Sequence, residues 1–301
     1  MKKYPFILIF DIDCTVIGDI RFLVQEAHIL KYIYNICEKE NNDNCKFIEN
    51  INMQTELKNG LLRPNIKEFI EFCNNKFKNV EIFFYTGSAY GWTNSSLGKN
   101  IEKALNIKIN RPFFTRENLI LTSVKKEKSL ANIFPLITTT LENRYPVMKN
   151  KDDIDYIINN RTIFIDDVKN NTYTHVNRQI VCPEYKFLPW CYIPEKIVKE
   201  YNIDPKVFDN KELLEYMWNN NVCIHNVNGN VFQRSQEYFN LHKMYNQKYS
   251  ELSKIDDRFY KDLIRELSKK YVKNNNISNN NIESINKKLS SMDYSLNSSK
   301  V

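Results

Sequence analysis

Two aspartates, Asp11 and Asp13, follow directly on an apolar run near the start of the sequence. The run, residues 6–10, is too short for a helix and is typical of a strand buried on both faces, as in parallel sheets. In open α/β sheets, ligands bind at the carboxyl ends of the strands. Two carboxylates crowded at this edge need a shared metal ion or a shared proton. The stretch therefore predicts a functional site.

Further candidate groups follow two other predicted strands. Thr86 comes after the strand predicted at residues 80–85, and Asp166 and Asp167 come after the strand predicted at residues 161–165. The lysines that lie between these two positions are Lys125, Lys126 and Lys128. Hard oxygen donors at one sheet edge suit Mg²⁺. Together with a carboxylate nucleophile, a hydroxyl and an ammonium group, they form the set needed for phosphoryl transfer through an aspartyl-phosphate.

This order of residues resembles the haloacid-dehalogenase (HAD) superfamily of phosphatases. Its four motifs match here as Asp11-Ile12-Asp13-Cys14-Thr15, Thr86, Lys128 and Asp166-Asp167. Residues 62–70 and 83–90 further resemble the NLI-interacting-factor-like branch, which includes phosphatases of the RNA polymerase II C-terminal domain. The sequence departs from that branch at Cys14, where an acidic residue is usual, and at residues 168–170, where Val-Lys-Asn replaces Ser-Pro. These departures bear on substrate preference.

The resemblance implies a role for each matched residue. Asp11 would attack phosphorus, and Asp13 would protonate the leaving oxygen and then deprotonate water. The cofactor would be Mg²⁺, held by Asp11, the backbone carbonyl of Asp13, and Asp166 or Asp167. The implied sites are catalytic residues Asp11, Asp13, Thr86 and Lys128, substrate-binding residues Thr15, Gly87 and Ser88, and metal-binding residues Asp11, Asp13, Asp166 and Asp167. Thr15 would act by positioning the loop backbone.

Two assignments within these sites stay open at the level of the sequence. The lysines at 125, 126 and 128 lie close together, and a run of lysines most often lies on a solvated face. The spacing to Leu130 favours Lys128 as the phosphate-binding lysine, with Lys125 as the alternative. The direct metal ligand of the Asp166-Asp167 pair is likewise undecided.

The elements that must position these residues alternate between strand and helix. This pattern predicts an α/β fold with a HAD-like, Rossmann-like parallel sheet. Pro64 and Asn65, with Glu68 three residues later, predict a side-chain-capped helix start. Residues 19–62 are expected to form a small flap, in which Asn59-Gly60 favours a hairpin turn.

The sequence as a whole predicts three regions. Residues 1–205 form the phosphatase core, with the flap inside it, and residues 206–272 form a helical extension with apolar residues at helical spacing, including a helix at residues 238–252. Residues 273–301 are expected to be a disordered tail, because their Asn, Ser and Lys composition buries too little apolar surface.

Composition and charge narrow the class of protein. The chain has 301 residues and a net charge of +7, which is compatible with a phosphorylated partner but does not require nucleic acid. Its seven cysteines include no C-x-x-C pair, so reduced thiols inside the cell are expected. The sequence lacks a run of about 18 apolar residues, so we expect no membrane partner and a soluble protein in the cytoplasm or nucleus.

The predicted function is a Mg²⁺-dependent phosphatase whose substrate is a phosphoserine or phosphothreonine protein or peptide. This substrate is favoured because the segment between Lys128 and Asp166 is expected to hold one helix and no large lid, which leaves an open site. One alternative is a phosphatase of nucleotides, nucleic-acid ends or small metabolites. The other is a non-catalytic binding protein on the same fold.

Overall fold

The computed structural model describes residues 2–18, 26–27, 29–35, 52–88, 97–123, 125–185, 193–204, 207, 210, 212–213, 215–216, 257–269, 276–292 and 294. Within these residues no helix is both long enough and apolar enough to cross a membrane. The helix predicted at residues 238–252 lies outside them.

The centre of the fold is a parallel sheet of four strands. Strands β1 (Phe6–Phe10), β2 (Val80–Phe84), β5 (Thr162–Asp166) and β6 (Gln179–Val181) pair in the order β2-β1-β5-β6. A separate antiparallel pair is formed by the short strands β3 (Ile120–Leu121) and β4 (Lys126–Glu127). All five residues of β1 are buried, as expected for a central strand covered on both faces. The prediction of an α/β fold with a parallel sheet is confirmed.

Eight α-helices that begin and end within the described residues accompany the strands. They are α1 (Met53–Glu56), α2 (Ile66–Lys76), α3 (Gly98–Leu105), α4 (Leu130–Leu141), α5 (Lys151–Arg161), α6 (Ile193–Tyr201), α7 (Phe259–Ser268) and α8 (Asn279–Ser290). Short 3-10 segments at Arg116–Asn118, Pro146–Lys149 and Val176–Arg178 join some of them.

The two faces of the sheet pack against different helices. Alternate side chains of β1, such as Ile7 and Ile9, share one apolar cluster with residues of α4 and α5. On the opposite face, Phe10 packs against Phe69 of α2, with ring centroids 6.2 Å apart, and Phe69 packs against Tyr260 of α7 at 5.2 Å. The sheet is therefore a middle layer, and the carboxyl ends of its strands form the open edge at which predicted site residues meet.

The connection from Lys128 to Asp166 differs from the single helix expected. It contains both α4 and α5, and buried residues of both helices belong to the core beside the sheet. The expectation of one helix is therefore wrong, because the segment between Leu141 and Lys151 breaks a single long helix with a 3-10 turn at Pro146–Lys149.

The structure also differs from the hairpin predicted before α2 and from the side-chain cap predicted at its start. Residues 53–61 form α1 and a π-helical turn, Leu57–Leu61, instead of a hairpin, and Gly60 supplies the left-handed residue of that turn (φ 112°). Helix α2 begins at Ile66, but Asn65 itself is left-handed (φ 62°) and makes no side-chain cap. Its amide instead donates to the carbonyl of Asp257, 3.2 Å away.

The expectation of a disordered tail is wrong for residues 279–290, which form α8. Ser278 caps this helix by accepting from the N–H of Asn281. Buried Ile282, Ile285 and Leu289 recur at helical spacing and pack toward β6. Three well-placed apolar side chains are enough to dock a polar helix on a preformed sheet edge, although the overall composition is poor in apolar residues.

Contacts along the chain define two compact units. The first comprises Met1–Gly18, Leu62–Tyr185 and Asp256–Val301 and holds the sheet with α2, α3, α4, α5, α7 and α8. The second comprises Asp19–Leu61 and Lys186–Ile255 and holds α1 and α6. Within the second unit, the rings of Tyr32 and Tyr216 stack with centroids 4.6 Å apart. The domain boundaries predicted at residues 205 and 272 stay predictions.

Candidate active site

The register of the sheet brings Asp11 and Asp166 together. Phe10 of β1 lies opposite Ile165 of β5, so Asp11 and Asp166 occupy adjacent positions at the ends of neighbouring parallel strands. The N–H of Asp11 donates to the carbonyl of Ile165 at 2.9 Å, which extends the strand pairing into the site. Carboxylate oxygens of Asp11, Asp166 and Asp167 all lie within 4.8 Å of one another. Acids about 155 positions apart in sequence thus converge as predicted.

Lys128 is the cation inserted between these acids. Its ammonium lies 2.7 Å from Asp11 Oδ1 and 2.7 Å from Asp166 Oδ2, and its side chain is only 4% exposed. The N–H of Tyr173 donates to the carbonyl of Lys128 at 2.8 Å, which fixes the backbone from which the side chain extends. Lys125, the alternative, is 61% exposed and pairs with Glu127. The geometry therefore favours Lys128 over Lys125.

The acids outnumber the cation in this cluster. Burial raises the pKa of Asp11 well above its usual range, although Lys128 acts in the opposite direction. Burial and the neighbouring Asp166 also raise the pKa of Asp167. Burial would lower the pKa of Lys128, but the carboxylates of Asp11 and Asp166 outweigh that effect and raise it. Three converging carboxylates with one ammonium leave excess negative charge in a buried place.

The excess negative charge indicates that these residues could hold a metal ion. A divalent cation among three carboxylates would neutralise charge that burial otherwise penalises. The donors are hard oxygens, which are the ligands that Mg²⁺ prefers. The donor set therefore fits Mg²⁺, with Asp11, Asp166 and Asp167 as the side chains that could hold it.

Hydrogen bonds from the loop after β5 hold Asp166. Its Oδ1 accepts from the N–H of Val168 at 2.8 Å, and the amide of Asn171 donates to both of its oxygens, at 3.1 and 2.9 Å. Asn171 was missed by the sequence reading. The only signal for it was its position in the loop that follows the Asp166-Asp167 pair.

Asp13 lies in a second, adjoining cluster. Its Oδ2 accepts from the hydroxyl of Thr86 at 3.2 Å and from the hydroxyl of Ser88 at 2.8 Å. Its other oxygen, Oδ1, is buried and has no hydrogen-bond partner among the described residues. The side chain of Asp13 is not among the group that could hold a metal, so any metal contact of Asp13 would have to come from its backbone. The structure thus brings together Asp13, Thr86 and Ser88.

Thr86 and Gly87 sit just beyond the end of β2. Thr86 is fully buried, and its hydroxyl oxygen accepts from the N–H of Ser88 at 3.0 Å, so it shapes the turn as well as contacting Asp13. Gly87 is exposed, and an added Cβ would meet nothing within 4 Å. Its φ is not positive, so the backbone here does not require glycine. The turn after β2 therefore does not depend on glycine at this position, and its backbone is accessible at Gly87.

Thr15 is buried inside the loop that carries Asp11 and Asp13. Its hydroxyl donates to Asp167 Oδ1 at 3.1 Å and accepts from the N–H of Asp167 at 3.1 Å. The preceding residue, Cys14, is left-handed (φ 59°), which turns the chain so that Thr15 points inward. Thr15 is 0% exposed, so it acts on the site by holding Asp167 and is not itself open to solvent.

Comparisons with known proteins place few constraints on this site. No family model matches the chain, and no curated protein matches it. Among solved structures, the chain is similar to the fission yeast RNA polymerase II CTD phosphatase Fcp1, in a substituted form bound to beryllium fluoride. The match has a TM-score of 0.33 and 14% identity, and covers 83% of this chain and 65% of that chain. A match at this level of similarity carries no argument about function, so any function must be inferred from the geometry of the site.

Proposed function

We propose that this chain is a Mg²⁺-dependent phosphatase that hydrolyses phosphomonoesters through an aspartyl-phosphate on Asp11. The observation that carries the proposal is the convergence of Asp11, Asp166 and Asp167 at the carboxyl edge of a parallel sheet, with the ammonium of Lys128 paired to the first two. A solvated pair of strand-end acids would explain neither the buried lysine nor the third carboxylate.

Asp11, Asp166 and Asp167 would hold the metal. When bound, Mg²⁺ supplies positive charge that offsets the repulsion between these carboxylates and an anionic phosphate. The reason to expect Mg²⁺ binding is the excess of negative charge among these three carboxylates.

Lys128 is suited to bind the phosphate in addition to the acids. An ammonium group has three N–H donors, and the structure shows two of them directed at Asp11 and Asp166. Among the described residues, these two carboxylates are the only groups paired with this ammonium, so we expect its third donor to bind a phosphate oxygen. In this position the lysine stabilises the charge that develops on the phosphoryl group in the transition state.

The chemistry takes two steps with balanced proton transfers. In the first, a carboxylate oxygen of Asp11 attacks phosphorus while the leaving oxygen takes a proton from Asp13. In the second, Asp13 takes a proton from water, the water oxygen attacks phosphorus, and the bond to Asp11 breaks. Thr86 and Ser88 both contact Asp13 Oδ2, which orients the carboxyl for these transfers.

The proposed substrate is a phosphoserine or phosphothreonine protein. Although the connection from Lys128 to Asp166 contains two helices, buried residues of both pack in the core against the sheet. Within residues 125–185, this connection therefore supplies no lid over the strand ends, and an open site suits a macromolecular substrate. The net charge of +7 is compatible with a phosphorylated partner.

Turnover of p-nitrophenyl phosphate tests the reaction. The wild-type protein should hydrolyse it with Mg²⁺ and lose activity in EDTA. Asp11→Asn should reduce kcat by at least about 10³-fold because the nucleophile is gone, while its unfolding remains cooperative. Asp152→Asn, which changes an exposed acid on α5, is the matched control and should keep full activity. An active Asp11→Asn protein would contradict the nucleophile assignment.

A substrate panel then separates the classes. Phosphopeptides should be hydrolysed with higher kcat/KM than nucleotides, small phosphorylated metabolites or end-phosphorylated oligonucleotides. The reverse order would assign one of those classes instead. Wild-type protein that binds Mg²⁺ but hydrolyses none of them would indicate a non-catalytic binding protein.

A further inference from the structure

We propose that helix α7, near the C-terminus, positions the candidate metal site through Tyr260 and the Asp257–Arg63 ion pair. These residues hold the backbone of Thr15, and Thr15 in turn holds Asp167. The proposal rests on the proposed function for its meaning, and it assigns Tyr260 and Arg63 as positioning residues.

The first link in this connection is the carbonyl of Thr15. It accepts from the hydroxyl of Tyr260 at 3.3 Å and from Nη1 of Arg63 at 3.5 Å. Thr15, Tyr260 and Arg63 are each no more than 1% exposed, so water does not compete for these contacts. The loop that carries Asp11 and Asp13 is therefore held by Tyr260, which lies 245 positions after Thr15 in the chain.

The second link is the ion pair that holds Arg63. Asp257 Oδ2 lies 3.0 Å from both Nε and Nη2 of Arg63. The guanidinium also lies near aromatic rings, with centroids at 4.8 Å for Phe259 and 5.7 Å for Tyr260. A buried guanidinium enclosed in this way has little freedom to move, so its contact with Thr15 is fixed as well.

The third link joins Thr15 to the acids. The hydroxyl of Thr15 both donates to the carboxylate of Asp167 and accepts from its N–H. This reciprocal pair sets the position and orientation of Asp167 relative to Asp11 and Asp166. Substituting groups that orient metal ligands typically costs about 10–100-fold in metal affinity or activity.

The effect of Tyr260 can be separated from mere stability. Tyr260→Phe removes only the hydroxyl and keeps the ring in contact with Phe69 and Arg63. Tyr145→Phe is the matched control, because Tyr145 is also a buried tyrosine whose hydroxyl donates, to Glu81 at 2.6 Å, but which makes no contact with Thr15. Both variants should lose some stability. A positioning role predicts that only the first changes metal binding.

The experiment measures Mg²⁺ binding to the full chain by titration calorimetry with MgCl₂, and Mg²⁺ activation of p-nitrophenyl phosphate turnover. Tyr260→Phe should raise the Kd for Mg²⁺, and the Mg²⁺ concentration for half-maximal activity, by about three- to tenfold. At saturating Mg²⁺, its kcat should return to within about twofold of wild type. Tyr145→Phe should bind Mg²⁺ like wild type.

Unchanged Mg²⁺ affinity in Tyr260→Phe overturns the proposal. If that variant does not fold cooperatively, Asp257→Asn replaces it with the same expected shift, because it removes the charge that holds Arg63. Weakened Mg²⁺ binding without any phosphatase activity in the wild type would overturn the proposed reaction and keep the positioning role. Absence of Mg²⁺ binding in the wild type would overturn both.

Discussion

Lys128 balances charge in the candidate site. It is the ammonium that the structure places between two buried carboxylates, Asp11 and Asp166, at 2.7 Å from each. Removing it would leave those carboxylates close together without a counter-charge. Such uncompensated buried charges are among the most destabilising changes that a single substitution can make.

Lys128→Met should therefore lower the free energy of unfolding in EDTA by about 3 kcal/mol or more. Its phosphatase activity should fall by about 10²–10³-fold, because a donor to the phosphate is lost. Urea unfolding at pH 7 and p-nitrophenyl phosphate kinetics measure the two effects. Lys125→Met, at the exposed alternative lysine, should change stability by less than about 0.5 kcal/mol. Equal effects of the two substitutions would contradict the assignment of Lys128.

Glu102 gives a prediction about pH away from the site. Burial alone would raise the pKa of Glu102, but hydrogen bonds from Arg111 and from the N–H of Ile109 outweigh it and lower the pKa below the ordinary 4.5. A depressed folded-state pKa means that the carboxylate stabilises the fold above pH 4.5. This contribution is lost as the pH falls through the folded-state pKa.

Glu102→Gln should accordingly lower the free energy of unfolding at pH 7 by up to about 1 kcal/mol, because the pair with Arg111 is only partly shielded from water. The difference from wild type should shrink toward zero as the pH is lowered from 6 to 3. Urea unfolding across this range is the measurement, with Glu68→Gln on α2 as the exposed control. A difference that grows as the pH falls would have the wrong sign.

At the scale of elements, α8 completes the edge of the sheet. Strand β6 is the last strand, and its outer backbone groups need partners. The side chain of Asn286 supplies them, because its Oδ1 accepts from the N–H of Val181 at 3.0 Å and its Nδ2 donates to the carbonyl of Gln179 at 2.8 Å. One amide thus replaces two contacts that a neighbouring strand would make.

Asn286→Ala should lower the free energy of unfolding by about 1–3 kcal/mol, because two backbone groups of β6 lose their partners. Asn280→Ala, at an exposed position on the same helix, is the matched control and should cost less than about 0.5 kcal/mol. Thermal and urea unfolding of both variants measure the difference. Indistinguishable variants would show that α8 contributes only through its apolar side chains.

Elements with strong local patterns could be predicted from the sequence, and elements defined by their neighbours could not. The largely apolar stretches that form β1, β2 and β5 are visible in the sequence because strands buried in a parallel sheet carry mostly apolar residues. Helix α8 was missed because its three core positions are diluted by Asn, Ser and Lys, and its docking depends on an edge strand elsewhere in the chain. The sequence pattern predicts Asn65 as a helix cap, but in the structure its amide donates to the carbonyl of Asp257.

At the scale of the whole molecule, buried side chains of the core hold the C-terminal segment against the sheet. Buried Arg178 donates to the carbonyls of Thr162 and Ile277, which joins strand β5 to the segment before α8. Burial lowers the pKa of this guanidinium to about 10. Together with Arg63 and Tyr260, it attaches the last helices to the sheet that carries the acids.

The convergence of the acids was predictable, and the support around them was not. Parallel strands end at one edge, so Asp11 and Asp166 were expected at the same edge once both strands were assigned. The adjacency of β1 and β5, which makes these two acids neighbours, appears only in the structure. The contact between Arg63 and Asp257 spans 194 positions and leaves no periodic signal in the sequence. Long-range ion pairs of this kind depend on the finished fold, so they appear only in the structure.

The most direct measurement of the central claim is a crystal structure of the full chain with Mg²⁺ and beryllium fluoride as the phosphoryl mimic. We predict Mg²⁺ at about 2.0–2.1 Å from an oxygen of Asp11 and from at least one of Asp166 and Asp167. The mimic should lie against Asp11, with the ammonium of Lys128 contacting it. Mg²⁺ bound elsewhere, or a mimic that does not contact Asp11, would contradict the account.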